Sequence, residues 1–391
     1  MAFVRAVILV LTCGSLSFAQ TSPVPRDVDL RAEDGVVLKA TYYSSATPGP
    51  AVLLLHMCNS TRKSWEPLGP QLAAAGIHAL AVDYRGFGES GGDRFETLPP
   101  QDAQRIVNEK WPTDIDAAYD FLLAQPDVDP TRAGVAGGSC GVAHAVNVAR
   151  RHPEVRSLAL LAGQLDLDGL TYLTQTPWLP IFAAAAADDH YDRSAPEVMQ
   201  WILAISGNPR NRFSGFRDGK HGTEIFGPHP ELIKQMVAWY ADTLVKNPAD
   251  AKAPVKVKQT PAREFWVKAL SPNGVGAAVQ LFYEIVQRNP RTFLFPEAQL
   301  NSLGYQHLQA GRVTDAIHLF RLNTMAYAAS ANTWDSLGDA YLANGQNELA
   351  LRASEKALAL LPEDRIPDAL KKAIRESAEQ KIAKLRGTEK E

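Results

Sequence analysis

The sequence predicts an α/β fold, a doubly wound and mostly parallel sheet, followed by an all-α domain. Three observations predict it. Over residues 28–244, short apolar strands alternate with helical stretches, the pattern of a sheet covered on both faces. At Gly137-Gly138-Ser139-Cys140-Gly141 an apolar strand turns abruptly into a helix. Beyond residue 262, Leu303-Gly304, Leu308, Gly311 and Ala316 recur as Leu337-Gly338, Leu342, Gly345 and Ala350, each 34 positions on (337 − 303, 345 − 311, 350 − 316).

The chain has 391 residues, 46% hydrophobic and 21% charged, enough for two or three packed domains. A net charge of −3 without a basic patch argues against nucleic acid as a partner. Arg5, the apolar run 6–11 and Ser17-Phe18-Ala19 read as an export signal over residues 1–19, cut after Ala19 and delivering the chain to the periplasm or exterior. The run is too short for a membrane anchor, and no later segment could span a bilayer. Cys13 as a lipid-bearing cysteine fits its flanking residues poorly. The mature chain keeps two cysteines, Cys58 and Cys140, an even count in an oxidising compartment.

Domain one spans 24–245. Its strands are expected at 36–43, after the turn Glu33-Asp34-Gly35, then at 51–56, 77–84, 133–137, 157–161, 181–185 and 212–216. Helices are expected at 65–75, ended by Gly76, at 113–125 with Trp111-Pro112 at the entry, at 142–150, 196–205 and 231–244. Residues 246–262, rich in Ala, Pro and Lys without apolar periodicity, read as a linker. Helical repeats follow over 263–362, with a looser early copy at 267–289, and a charged capping helix and tail over 363–391.

The G-x-S-x-G turn forces its serine into a strained conformation, so residues two before and two after must be small, as Gly137 and Gly141 are. A serine hydroxyl needs a base to take its proton and a third group to orient that base. Downstream, Asp188-Asp189 ends the 181–185 strand region and His221 follows the 212–216 strand. Either aspartate could supply the acid, with Asp189 preferred as the one ending the turn. Cys140 is the competing nucleophile, but that register would put Val142 where a small residue belongs. His144 reads as packing and His190 as a loop residue. His221 and His229 lack metal-ligand spacing. No phosphate or dinucleotide fingerprint is present, Gly86-Phe87-Gly88 being a loop, so no cofactor is expected.

The order Ser139, Asp189, His221, with Leu53-Leu54-Leu55-His56, Asp83-Tyr84-Arg85-Gly86-Phe87-Gly88-Glu89-Ser90 and Gly219-Lys220-His221-Gly222, resembles the α/β-hydrolases, near their dienelactone-hydrolase-like and acyl-peptidase-like branch. The 34-residue period, with Trp334, Tyr341, Ala357 and Pro362 in the second copy, resembles tetratricopeptide repeats; His307 and Asn323 depart from that pattern in the first. The first resemblance implies a serine hydrolase acting on an ester or related acyl bond. Ser139 would be nucleophile, His221 base and then acid, and Asp189 the orienting group. Cys140 and, by position, Cys58 would donate the oxyanion N–H groups, although Met57 stands where relatives carry glycine. Two cysteines flanking one oxyanion should lie within disulfide range, about 4.4–6.8 Å between Cα atoms. A bond or two free thiols both remain open; a bond would add about 4 kcal/mol of stability. Tyr172, Trp178 and Phe95 are candidate pocket walls. The repeats imply a protein partner or self-association, and the alternative reading is an inactive hydrolase-fold scaffold whose repeats bind that partner.

Overall fold

The computed structural model describes residues 25–388. The export signal expected at 1–19, Cys13 and the last three residues lie outside the described residues. One eight-stranded sheet is built from β1 (Arg26–Arg31), β2 (Val37–Tyr43), β3 (Gly49–Leu55), β4 (His78–Val82), β5 (Val128–Gly138), β6 (Val155–Leu161), β7 (Ile181–Ala186) and β8 (Arg212–Phe216). The spatial order is β1-β2-β4-β3-β5-β6-β7-β8. β1 and β2 pair antiparallel, as do β2 and β4; every later pairing is parallel. β1 lies just before the first strand expected from sequence, and its mostly exposed RDVDLR pattern explains why apolar alternation did not reveal it.

Helices α1 (Gly69–Ala74), α2 (Pro100–Arg105), α3 (Trp111–Leu123), α4 (Gly141–Arg151), α5 (Leu167–Gln175), α6 (Ala195–Ser206) and α7 (Glu231–Tyr240) cover the two faces. β3 is buried at all seven positions, so it must be apolar on both sides. Strand alternation then sorts its residues: Leu53 and Leu55 join the core under α3, α4 and α6, whereas Val52 and Leu54 join the opposite core with Trp239 and Tyr240 of α7. A π-helical turn, Ala241–Lys246, ends the sheet-covering layer.

The C-terminal region is all helical: α8 (Pro261–Ala269), α9 (Val275–Arg288), α10 (Glu297–Gln309), α11 (Val313–Ala326), α12 (Ala331–Ala343), α13 (Asn347–Leu360) and α14 (Asp368–Thr388). Every boundary of α10 and α11 recurs 34 residues later in α12 and α13 (331 − 297, 343 − 309, 347 − 313, 360 − 326). Gly311 and Gly345, both at positive φ, make the equivalent turns. Gly304 lets α11 approach, since a Cβ there would sit 2.5 Å from the Phe320 ring. α13 buries Ala350, Ala353, Ser354 and Ala357, one face of a 3.6-residue period. α14 is locked down by Lys381, whose buried ammonium meets Asp335 at 2.9 Å and Asp339 at 2.6 Å.

The segment that composition reads as a linker is pinned to the first domain. Lys258 N–H donates to Gly207 O at 2.8 Å, and Thr260 Oγ1 to Ala204 O at 3.0 Å. Buried Arg263 donates to Thr174 O at 2.7 Å and Ser206 O at 3.0 Å, and also to Ile205 O. One guanidinium thus satisfies carbonyls at the negative ends of both α5 and α6. The apolar residues follow. Phe265, Trp266, Phe282, Phe295 and Leu300 belong to the same core cluster as Leu53, Val135 and Trp201. The indoles of Trp201 and Trp266 both donate to Leu294 O, at 2.9 and 3.1 Å.

Trp266 is fully buried where the two regions meet. Trp266→Ala is expected to cost about 3–5 kcal/mol, read as a lower urea midpoint for unfolding of the whole chain.

Candidate active site

The β5–α4 turn delivers Ser139 at φ 53°, the left-handed conformation that the glycine-flanked turn demands. Space around it admits no side chains. A Cβ at Gly137 would sit 2.0 Å from Gly141 O, one at Gly141 2.6 Å from Leu55 O, and one at Gly163 2.1 Å from Ser139 O. Ser139 N–H donates to Leu161 O at 2.9 Å, which ties the turn to the end of β6.

The loop after β8 brings His221. Lys220 at φ 62° and Gly222 at φ 53° bracket it, so its backbone is turned sharply on both sides. His221 Nδ1 lies 2.7 Å from Asp189 Oδ2, with both side chains buried. Asp188 is engaged elsewhere, accepting from Lys220 N–H at 2.8 Å. The other Asp189 oxygen accepts the N–H groups of Tyr191 at 2.9 Å and Asp192 at 3.0 Å. Burial works to raise the Asp189 pKa, but His221 and these two amides hold it below the ordinary carboxylate value.

Ser139 and His221 line one cavity of about 490 Å³ with Cys58, Asn59, Cys140, Ala162, Gly163, Gln164, Tyr191 and Asp192. Asp189 stands behind His221, outside that lining. Cys58 and Cys140 are joined by a disulfide, with Cα atoms 5.8 Å apart. The bond occupies the Cys140 thiol and ties the loop after β3 to the elbow. Among the described residues, neither the Cys58 nor the Cys140 N–H donates a backbone hydrogen bond, so both are free to meet an anion at the cavity wall. Met57 turns inward. It is 3% exposed, and its Sδ accepts from Thr223 Oγ1 at 3.6 Å under the His221 loop.

His56 fixes the other end of that loop. Burial pushes its pKa down to about 4, so it is neutral at pH 7. Its Nδ1–H donates to Met57 O at 2.7 Å, while Nε2 accepts Tyr84 N–H at 3.0 Å. His144 packs edge-on against Tyr84 and Trp111, and burial pushes it down to about 4 as well.

The expected pocket walls are placed differently. Tyr172 donates its hydroxyl to Ala149 O and Trp178 stacks under Arg156, both outside the cavity lining. The reason is that α5 folds down against α4 instead of rising over the strand ends as a cap. Phe95 lines a neighbouring cavity of about 450 Å³ that shares Cys58 and Asn59. Tyr191, Gln164 and Asp192 were not singled out from sequence. Tyr191 is 61% exposed, its ring 4.8 Å from that of His221, and its hydroxyl accepts from Asn59 Nδ2 at 3.0 Å. A bulky aromatic two residues beyond the strand-end aspartate was the available signal. Among the described residues no group of three or more His, Cys, Asp or Glu could hold a metal ion, and no helix is long and apolar enough to cross a membrane.

Residues 46–213 match the family described as Hydrolase_4, serine aminopeptidase, S33. An uncharacterised protein of Mycobacterium tuberculosis is 32% identical over 196 residues, 49% of this chain and 64% of that protein. A thiohydrolase of Arthrinium phaeospermum is 33% identical over 130 residues, 33% of this chain and 40% of that one. The Escherichia coli esterase YjfP is 24% identical over 161 residues, 40% and 61% of the respective chains. The chain therefore spans less than two thirds of the length of these curated relatives. Among solved structures, a Pyrococcus furiosus esterase aligns with 61% of this chain and 96% of its own, at 21% identity and a TM-score of 0.46. The match to that hydrolase family falls within the sheet-bearing region, and an all-helical region follows it.

Two measurements check the site. Alkylation of the denatured, unreduced protein is expected to leave Cys58 and Cys140 unmodified, with two further alkyl groups appearing after reduction. The depressed histidines set a pH window. The unfolded chain takes up protons near pH 6.5 while folded His56 and His144 resist until about 4. Stability is therefore full above pH 6.5 and falls by a few kcal/mol on acidification towards pH 4, as denaturant titration at several pH values would read. His144→Gln is expected to flatten that slope.

Proposed function

We propose that this protein is a serine hydrolase cleaving a carboxylic ester or related acyl bond. The observation that carries the reading is the buried 2.7 Å Asp189–His221 pair, whose imidazole opens onto the same cavity as the left-handed Ser139. In this reading Ser139 Oγ attacks the substrate carbonyl as His221 takes its proton. Asp189 holds the ring in one tautomer and stabilises its positive charge. The tetrahedral oxyanion meets the N–H groups of Cys140 and Cys58. His221 then protonates the leaving group, and water repeats the sequence on the acyl-enzyme to release the acid.

Several features support the finer points. The disulfide would hold the two oxyanion donors at a fixed separation. Only 19 residues separate β6 from β7, which leaves no room for a large lid and suits a small acyl substrate (181 − 161 − 1). The disulfide and the N-terminal export signal read from the sequence agree on an oxidising compartment outside the cytoplasm. α10 and α11 pack one face on the main core, through Leu300, Leu303, Leu319 and Leu322, and another on α12, while α12 and α13 pack in clusters separate from that core. We assign protein contacts or self-association to their outer surface. The paired Asp189 and His221 weigh against the inactive-scaffold alternative, because an inert fold has no need of a buried, oriented imidazole.

A fluorophosphonate probe is expected to label the wild type at Ser139 and to leave Ser139→Ala unlabelled. Asp189→Asn is expected to lower kcat on the best substrate of an ester, thioester and amide panel by on the order of 10⁴-fold. A folded wild-type protein that takes no label would overturn the reading.

A further inference from the structure

A side chain of the helical region reaches the residues at the cavity edge. Gln299 of α10 is 3% exposed, far more buried than a surface glutamine. Its Nε2 lies 3.3 Å from Leu165 O and 3.4 Å from Gln164 Oε1. Leu165 O can only accept, so the Gln299 amide must present its N–H₂ on this side. Gln164 must then offer its oxygen to Gln299, which turns its own Nε2 towards Asp192 Oδ2 at 3.4 Å. Gln164 and Asp192 both line the cavity that holds Ser139 and His221. One carbonyl outside the cavity thus fixes the orientation of two amides and, through them, the edge of the substrate site.

The arrangement has a cost that packing alone would not explain. Gln299 Oε1 is buried without a hydrogen-bond partner among the described residues. An orphaned buried acceptor is destabilising, a penalty that an apolar side chain of similar shape would avoid. The acceptor at the edge it sets is the Asp192 carboxylate, towards which the Gln164 N–H₂ is turned. Asp192 is the sole carboxylate in the cavity lining and makes no ion pair among the described residues. Its Oδ1 is taken by the N–H and hydroxyl of Ser194, while its Oδ2 receives only the long Gln164 contact. The exposed ring of Tyr191 stands beside it in the lining.

We propose that Gln299 is a positioning residue for the substrate cavity, and that the Gln164–Asp192 edge it sets selects acyl groups carrying a hydrogen-bond donor, a protonated amine most strongly. The inference rests on the serine-hydrolase reading and assigns that site its substrate class. The helical region is then part of the substrate site as well as a surface for other contacts.

The test uses the full chain and two esters with the same leaving group, one acyl group ending in a primary amine and the other in a methyl of equal length. Wild type is expected to favour the amine ester at least about tenfold in kcat/KM. Asp192→Asn is expected to abolish that ratio. Gln299→Leu, checked for folding by circular dichroism, is expected to reduce it about tenfold through a raised KM for the amine ester. Gln299→Glu provides a second variant should the apolar one fail to fold, and is expected to lower the ratio likewise, because its carboxylate would repel Leu165 O and lose the amide orientation. A wild type without preference, or variants that slow both esters equally through kcat, would overturn the inference while leaving the hydrolase reading intact. Absence of fluorophosphonate labelling in wild type would remove both.

Discussion

The close approach of three backbone segments at Ser139 is the constraint on which the rest of the site depends. The elbow, the loop after β3 and the turn after β6 meet where Gly137, Gly141 and Gly163 have no room for a methyl group. A left-handed serine is costly, by about 1–2 kcal/mol for a single residue, and holds only where its surroundings leave no alternative. Those surroundings are the parallel strands β3, β5 and β6, whose registers bring Leu55, Gly137 and Leu160 side by side at the sheet edge. The same edge receives the loops carrying Asp189 and His221. A cavity at the carboxyl ends of parallel strands is therefore a geometric result of the strand order, with the chemistry placed by loop residues.

Much of this was legible in the sequence because the relevant signals are local. Short apolar strands, glycines bracketing a serine, and a histidine between Lys220 and Gly222 each report backbone geometry at their own position. The 34-residue period reports helix pairing in the same way, through Gly304, Gly311 and their counterparts Gly338 and Gly345. Asp188 and Asp189 are adjacent, and only the loop's three-dimensional course decides which carboxylate turns towards the imidazole. Gln164 and Asp192 were illegible for a related reason: their place in the cavity comes from where two loops meet. The fall of Tyr172 and Trp178 away from the cavity follows from how α5 packs on α4, a tertiary choice that no residue pattern encodes.

The 246–262 segment shows the limit of composition as a guide to independence. Pro, Ala and Lys without periodicity describe a stretch that forms no regular element, and residues 247–260 form none. They do not describe what the stretch touches. Gly207, Ala204 and the carbonyl ends of α5 and α6 supply partners that only the folded chain brings near. Arg263 is the clearest case. Its charge sits among backbone carbonyls without a carboxylate, and burial lowers its pKa, yet the two helix ends give the guanidinium a partner for its donors.

That docking bears on how such a chain could arise by recombination. A crossover within 247–260 would look harmless on paper, since it interrupts no helix or strand. It would nevertheless strand Trp201 without the Leu294 carbonyl and leave the ends of α5 and α6 uncapped. The heritable unit is accordingly longer than the sheet-bearing region: it runs on through α11, whose Leu319 and Leu322 join the same core as Leu300 and Leu303 of α10. Only beyond that point does a helical pair, α12 and α13, become a piece that ancestry could add, lose or exchange without rebuilding the core beneath it.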